Sequence, residues 1–172
     1  MIARNELPSN LLKHIDELIA KMPYNEFNYA NVYEYALWAD DVKFRDYYRN
    51  LDEWHFYDQP ICDGIDPKKI KLVLDPKFGV VNSVIEGLKT LKFHGPYPSS
   101  FDGIFEKSFM LRFFIHLVGD MHQPLHMSTR CTPELPECDA GGNKFTLKGT
   151  PSELHALWDQ CLNFLKPDGS RV

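Results

Sequence analysis

Apolar side chains recur at helical spacing along most of this chain. Leu11, Leu12, Ile15, Leu18, Ile19 and Met22 form one such run, with Ser9 and Asn10 as candidate caps before it. A second helix is predicted over residues 28–38, carrying Val32, Tyr33, Tyr35, Ala36 and Leu37. Val80, Val81, Val84, Ile85, Leu88 and Leu91 mark a third. The fourth is predicted over residues 103–123 and holds the most apolar run, FMLRFFIHLV, until Pro124 bends or stops it. The fifth is expected to open at Thr150-Pro151-Ser152-Glu153, with Thr150 as N-cap, Pro151 at the first helical position and Glu153 closing a capping box. Between these two helices, CDAGGNKFTLKGT is glycine-rich and alternating, which predicts a small hairpin or extended excursion near residues 139–149. The pattern as a whole predicts an all-α domain with long functional loops.

A chain of 172 residues with 44% hydrophobic content is a natural single domain, residues 1–172, with a sizeable core. The net charge of −5 argues against a general basic surface for duplex nucleic acid, yet leaves room for a local site where metal ions supply the positive charge. The best candidate for a membrane span, residues 104–118, is too short and carries Glu106, Lys107 and Arg112. The opening MIARNELPSN has neither a basic leader nor an apolar stretch, so the chain is either cytosolic or lacks its native beginning. Cysteines stand at 62, 131, 138 and 161; Cys131 and Cys138 flank the short loop TPELPE, and spacing alone leaves open a disulfide or free thiols.

The apolar fourth helix ends in an unusual concentration of metal-capable groups. His116 and Asp120 stand four residues apart and project from one helix face; His155 and Asp159 repeat the spacing on another helix. One such pair reads as a satisfied polar pair in a core. Two pairs amid FFI, LV and ALW read better as a metal cage, because a buried ionised aspartate is costly unless paired or metal-bound. His126, just after Pro124, can swing back toward them; ALWADDVK adds Asp40 and Asp41, and EWHFYD adds His55 and Asp58. Imidazole with carboxylate suits zinc, with iron or manganese as substitutes, and no Cys-x-x-Cys pair suggests a structural thiolate site. His14 and His94 read as surface residues, and His122 as structural or supporting, since it points away from the His116–Asp120 face.

FIHLVGDMHQPLH, DAGGN and ELHALWD, preceded by WAD and WHFYD, together resemble the zinc-dependent single-strand nucleases and 3′-nucleotidases over residues 3–165, with the protist branch nearest and zinc phospholipase C a distant relative. The resemblance implies a mostly helical fold and up to three zinc ions in a cleft. One ion would be held by Asp40, His55, His116 and Asp120, and a second by His126, His155 and Asp159. In the family the aspartate matching Asp120 also bridges to a third ion, held otherwise by an N-terminal Trp and a nearby His. Nothing before Asn5 offers those two residues, and the chain closes at LKPDGSRV where the family continues. A shortened chain with weak or absent activity is therefore expected, with apolar surface left uncovered.

The resemblance further implies hydrolysis of single-stranded DNA or RNA and of 3′-nucleotides by metal-activated water. Asp40 and Asp120 would serve the reacting centre, and Asp120 would set two ions about 3.5–4 Å apart. Lys43 would stabilise the phosphate, Phe56 would stack on a base, Asp58 would bond the base edge, and Asn143 would orient near the phosphate. The family is secreted or displayed at the membrane surface, which fits an oxidised Cys131–Cys138 loop, and no stable protein partner is implied. Two alternatives remain: a phospholipase C-like phosphodiesterase on the same metal core, and a non-catalytic zinc-binding module.

Overall fold

The computed structural model describes residues 6–21, 32–43, 45, 48–72, 75, 77–93 and 103–160. The expectations for the first five residues, for residues 28–31, and for His94 and Cys161 lie outside that set.

Four helices form the frame: α1 (Ser9–Ile19), α2 (Val32–Lys43), α3 (Val80–Lys92) and α4 (Gly103–Asp120). The longest of them, α4, lies at the centre, with α1, α2 and α3 all packed against it. Helix α2 buries Tyr35, Trp38, Ala39 and Val42, the i, i+3, i+4, i+7 stripe of a core-facing helix. It runs on past Trp38 to Lys43, so Asp40 and Lys43 share its last turns. Helix α3 starts where Gly79, at φ 100, turns the chain; it buries Val80 and Ser83, and Gly87 lets the Met110 side chain of α4 approach closely.

Trp38, Ala39, Val42, Val80, Phe113 and Leu117 make the main core. Its centre is aromatic. Phe113 meets Trp38 edge-on at 5.3 Å and Trp54 at 5.2 Å between ring centroids, and Trp38 meets Phe109 at 5.6 Å. Edge-to-face pairs of this kind add stability beyond area burial. Trp54 belongs to a 3-10 helix, Arg49–His55, so its packing on Phe113 seats that helix and delivers His55 to the interior, where it is 4% exposed.

Arg112 is fully buried on α4. Its Nη2 and the Ser108 hydroxyl both donate to the Ile19 carbonyl at the end of α1, at 3.0 and 2.9 Å. Its guanidinium lies against the Tyr35 and Trp38 rings, 4.6 and 5.2 Å from their centroids. Burial lowers the pKa of this group, and the clasp on a helix C-terminus compensates by satisfying an orphan carbonyl.

Several boundaries differ from those the sequence predicts. Ser9 and Asn10 do not cap α1: Pro8 is its N-cap, and the Pro8 carbonyl accepts from the amides of Leu11 and Leu12. Helix α4 stops at Asp120 instead of running to residue 123. The amide of His122 bonds back to Gly119, three residues earlier, and the Gln123 side chain caps a separate short helix, α5 (Pro124–Met127), by accepting from the Leu125 amide at 2.6 Å. The last described helix, α6, spans Leu154–Asp159 and does not begin at Thr150. Glu153 instead pairs with Thr146 in an antiparallel bridge, flanked by bonds from Leu147 to Ser152 and from Leu154 to Phe145. The hairpin is thus centred on residues 148–151, and the Thr-Pro step lies in its turn; residues 140–144 are turns.

A two-stranded parallel pair, β1 (Gln59–Cys62) with β2 (Ser128–Cys131), ties the His55 segment to the chain leaving α5. Beside it Ile65, Cys131 and Cys138 form a small second core, and the two cysteines are joined as a disulfide. Cys62 is a free, exposed thiol. No helix among the described residues is long and apolar enough to cross a membrane.

Replacing Phe113 by Ala removes the ring that both Trp38 and Trp54 lean on. The expected loss is roughly 3–5 kcal/mol, read as a lower midpoint in urea denaturation. A loss below about 1 kcal/mol would show that the aromatic cluster does not hold the 3-10 helix in place.

Candidate metal centre

The last turns of α2 and α4 and the end of the 3-10 helix converge on one point. Asp120 Oδ2 lies 3.1 Å from His55 Nδ1 and 3.0 Å from His116 Nε2, and those two ring nitrogens are 3.1 Å apart. Asp40 Oδ1 is 3.6 Å from each of the same two nitrogens. A tetrahedral ion with bonds of about 2.0–2.1 Å to N and O has edges of roughly 3.3–3.4 Å between its ligands. The five separations measured among these four atoms bracket that length.

The proton inventory points the same way. His116 Nδ1 donates to the Ala36 carbonyl at 2.5 Å, one turn before Asp40 on α2. That bond fixes the tautomer and turns the Nε2 lone pair toward Asp120 and His55. Lone pairs facing each other across about 3 Å need a cation between them, either a proton or a metal ion. The residues present therefore fit a divalent ion.

A second group stands beside the first. His126 Nε2 is 3.3 Å from Asp159 Oδ1, and His155 Nε2 is 3.5 Å from Asp159 Oδ2. The His126 and His155 rings stack at 4.9 Å between centroids. His155 Nδ1 donates to the Gly141 carbonyl at 2.7 Å, again leaving Nε2 as the free ligand atom. Ligand atoms of His126, His155 and Asp159 lie within 4.8 Å of one another, as do those of Asp40, His55 and His116. Three protein ligands facing a cavity form the donor set of metal sites that keep a position for water or substrate. Asp120 joins the groups: its Oδ1 is 3.3 Å from His126 Nδ1 while its Oδ2 serves His55 and His116.

Burial would raise the Asp120 carboxyl, but hydrogen bonds with His116, His126 and His55 outweigh it and hold the group well below the usual carboxylate range. Burial disfavours the His126 imidazolium, yet the Asp120 and Asp159 carboxylates outweigh that and push it up to about 9. His116 is raised in the same way by Asp120 and Asp40 against the effect of burial. Asp159 is lowered, with its contacts to His126 and Gln123 overcoming burial.

Three supporting groups escaped the sequence reading. Gln123 Nε2 donates to Asp159 Oδ1 at 2.9 Å while its Oε1 caps α5, so one amide fixes both a ligand and the helix that carries His126. The Ala36 and Gly141 carbonyls orient His116 and His155. Only the glycine pair in DAGGN signalled any of this. Gly141 adopts φ 60, and a Cβ there would press onto the Leu125 carbonyl oxygen, next to His126.

A cavity of ≈ 580 Å³ opens over both groups, with Asp40, Lys43, Asp120, His126, His155 and Asp159 in its wall. Lys43 Nζ sits 2.7 Å from Asp40 Oδ1. His122 also lines this cavity, exposed, its Nδ1 bonded to the Val118 carbonyl at 2.6 Å. Phe56 and Asp58 line a neighbouring pocket of ≈ 260 Å³ with Tyr57 and Phe78. Burial, reinforced by Asp139, raises the Asp58 pKa. Asn143 is exposed, and its amide donates to Ala140 within its own turn at 2.8 Å. His14 is exposed.

Comparison with known proteins places the chain in a family. Residues 1–168 match the family described as S1/P1 Nuclease. The chain is 30% identical over 135 residues to Nuclease S1 of Aspergillus oryzae (strain ATCC 42149 / RIB 40), covering 76% of this chain and 40% of that protein. It is 27% identical over 161 residues to Endonuclease 2 of Arabidopsis thaliana, covering 92% of this chain and 51% of that one. The chain thus spans about half the length, or less, of these relatives.

Two outcomes are expected. His126, pushed up to about 9 by the Asp120 and Asp159 carboxylates, would have to give up its proton to ligate a divalent ion. Zinc binding should therefore release protons at pH 7.5, and apparent affinity should rise with pH until it levels above about 9. Calorimetry in buffers of different ionisation enthalpy reads this; affinity independent of pH between 7 and 9 would contradict it. Gly141→Ala should lower stability by roughly 1–3 kcal/mol, through its positive φ and the Leu125 contact, and should weaken zinc binding as well. An unchanged melting temperature and zinc isotherm would refute that role.

Proposed function

The chain belongs to the S1/P1 nuclease family, and from that premise we propose that it hydrolyses single-stranded nucleic acid and 3′-nucleotides with zinc held by its two ligand groups. The observation that carries this reading is the shared Asp120 carboxylate, which faces His55 and His116 with one oxygen and His126 with the other. A structural site needs one closed cage; two adjoining ligand groups beside an open cavity suit phosphoester hydrolysis. Zinc bound there would offset phosphate charge and lower the pKa of a coordinated water.

The chain's own residues would do the rest. Asp40, His55, His116 and Asp120 would hold one ion, and His126, His155 and Asp159 the other. Lys43, on the rim beside Asp40, places its ammonium against a phosphate oxygen. Phe56, 38% exposed, offers a ring face to an unpaired base, which favours single strands over duplex. Asp58, in the same pocket, bonds the base edge. Asn143, expected near the phosphate, does not line the cavity and spends its amide on Ala140 within its own turn, so it receives no role here. The Cys131–Cys138 disulfide supports a secreted or membrane-surface setting.

Zinc-supplemented protein should release phosphate from 3′-AMP and cleave single-stranded DNA, and EDTA should abolish both. Asp120→Asn should lower turnover roughly 100-fold or more while the far-UV spectrum is retained. Zinc-loaded protein that turns over neither substrate would point to a non-catalytic module. Hydrolysis of phosphatidylcholine without cleavage of DNA would point to a phospholipase C-like enzyme.

A further inference from the structure

The carbonyl that orients His155 sits in a costly stretch of backbone. Cys138, Ala140, Gly141 and Gly142 have φ of 62, 54, 60 and 82. Two of these left-handed residues carry a Cβ, which disfavours that conformation. Such a path persists only where the surrounding structure over-determines it. Here one carboxylate oxygen supplies much of the constraint. Asp139 Oδ1 accepts from the Thr129 hydroxyl at 2.9 Å, from the Arg130 amide at 2.9 Å and from the Gly142 amide at 3.1 Å. The Thr129 hydroxyl gives its proton to Asp139 and accepts from the Gly141 amide at 3.1 Å. Lys144 Nζ donates to the Cys138 carbonyl at 2.9 Å, and the disulfide ties Cys138 to Cys131 on β2.

We propose that Thr129 and Asp139 are positioning residues for the second ligand group, acting through the Gly141 carbonyl to fix which His155 nitrogen carries the proton. Their bearing on metal rests on that group holding an ion, as proposed above. The Gly142 amide and the Gly141 carbonyl belong to one planar peptide unit and point opposite ways. A carboxylate that takes the amide therefore aims the carbonyl away from itself and onto the imidazole, where it accepts from His155 Nδ1 at 2.7 Å. Thr129 fixes the preceding peptide unit through the Gly141 amide, so both planes that flank Gly141 are set by side chains. Drawing on the amide also polarises the carbonyl and strengthens its bond to the ring. With Nδ1 so committed, the Nε2 lone pair faces Asp159. A ring freed from Gly141 could carry its proton on Nε2 instead, which would block ligation there. Thr129 is 2% exposed, so its hydroxyl is committed to these two partners. It stands three residues after His126, and the strand leaving one candidate ligand thus supports the turn that aims another.

The test needs no turnover. In metal-free protein at alkaline pH, heteronuclear NMR of the imidazole nitrogens distinguishes a proton on Nδ1 from one on Nε2. His155 should carry it on Nδ1 in the wild-type protein. Thr129→Val keeps the side-chain shape, loses the hydroxyl and should give a mixture; Thr129→Ser should restore the wild-type pattern. Zinc calorimetry is the second readout, and the binding step lost in His155→Gln is that of the second group. Thr129→Val should weaken that step roughly tenfold to a hundredfold and leave the other within about twofold, and Thr129→Ser should return it to within about threefold of wild type. Where Thr129→Val does not fold, Asp139→Asn takes its place; it keeps an oxygen acceptor, loses the charge and should weaken the second step by roughly threefold or more. An unchanged tautomer overturns the positioning role, as does an equal loss at both steps that Thr129→Ser does not relieve. A tautomer that depends on Thr129, in a protein that binds no zinc at His155, retains the positioning role and rejects the metal reading. Zinc bound at both groups, with neither tautomer nor affinity altered by the variants, does the opposite.

Discussion

Asp120 is a carboxylate placed where a carboxylate is costly. It is 8% exposed, at the end of the most apolar of the four frame helices. An ionised group at that depth persists only if its charge is met from several sides. His55, His116 and His126 meet it, and they arrive from three different parts of the chain. The positions of the 3-10 helix, of α4 and of α5 are all constrained by this one group. The aromatic core serves the same end: Trp54 on Phe113 holds the segment that ends in His55, and α4 carries Phe113 one turn before His116.

Backbone carbonyls set the chemistry of the imidazoles. Ala36 fixes His116 and Gly141 fixes His155, each through Nδ1, so each presents Nε2 as a bare lone pair. The two carbonyls come from very different structures. One is a helix carbonyl, available because the α2–α4 packing leaves room for a ring against it. The other sits in a glycine turn whose approach to Leu125 leaves no space for a side chain. The glycines of DAGGN are therefore part of the ligand architecture, although they bind nothing themselves.

The candidate ligand residues that the structure brings together were legible in the sequence, and the groups that orient them were not. H-x-x-x-D twice, in apolar helical settings, marks paired groups on one face, because helical spacing alone dictates that geometry. That His55 and Asp40 belong with the first pair came from the resemblance, since no local pattern reports contact across 61 or 65 residues. Gln123 read as part of a continuing helix; its capping of α5 and its bond to Asp159 depend on where α4 stops. Thr150 and Pro151 carry an N-terminal helix signature, yet the strand bonds on either side of them recruit Ser152 and Glu153 into a hairpin. Local propensity yielded there to pairing between segments that the alternation in NKFTLKGT announced only in part.

Helix α6 shows why the two ligand groups matter to the fold as well as to chemistry. It has six residues and none of them is buried. A helix of that length has no stability of its own in water, and it lacks an apolar face sunk in the core to compensate. Beside the half-buried Leu154, Ala156 and Leu157, polar contacts tie it down: the hairpin bonds before it, His155 on Gly141, and Asp159 on Gln123 and His126. Apart from the hairpin bonds, each of these contacts involves a proposed ligand or its immediate support. An ion bridging His126, His155 and Asp159 would replace marginal hydrogen bonds with coordinate bonds, joining α6 to α5 directly. If the second group holds an ion, the segment that completes it would draw order from that ion, and the folding of residues 145–159 would be coupled to its binding.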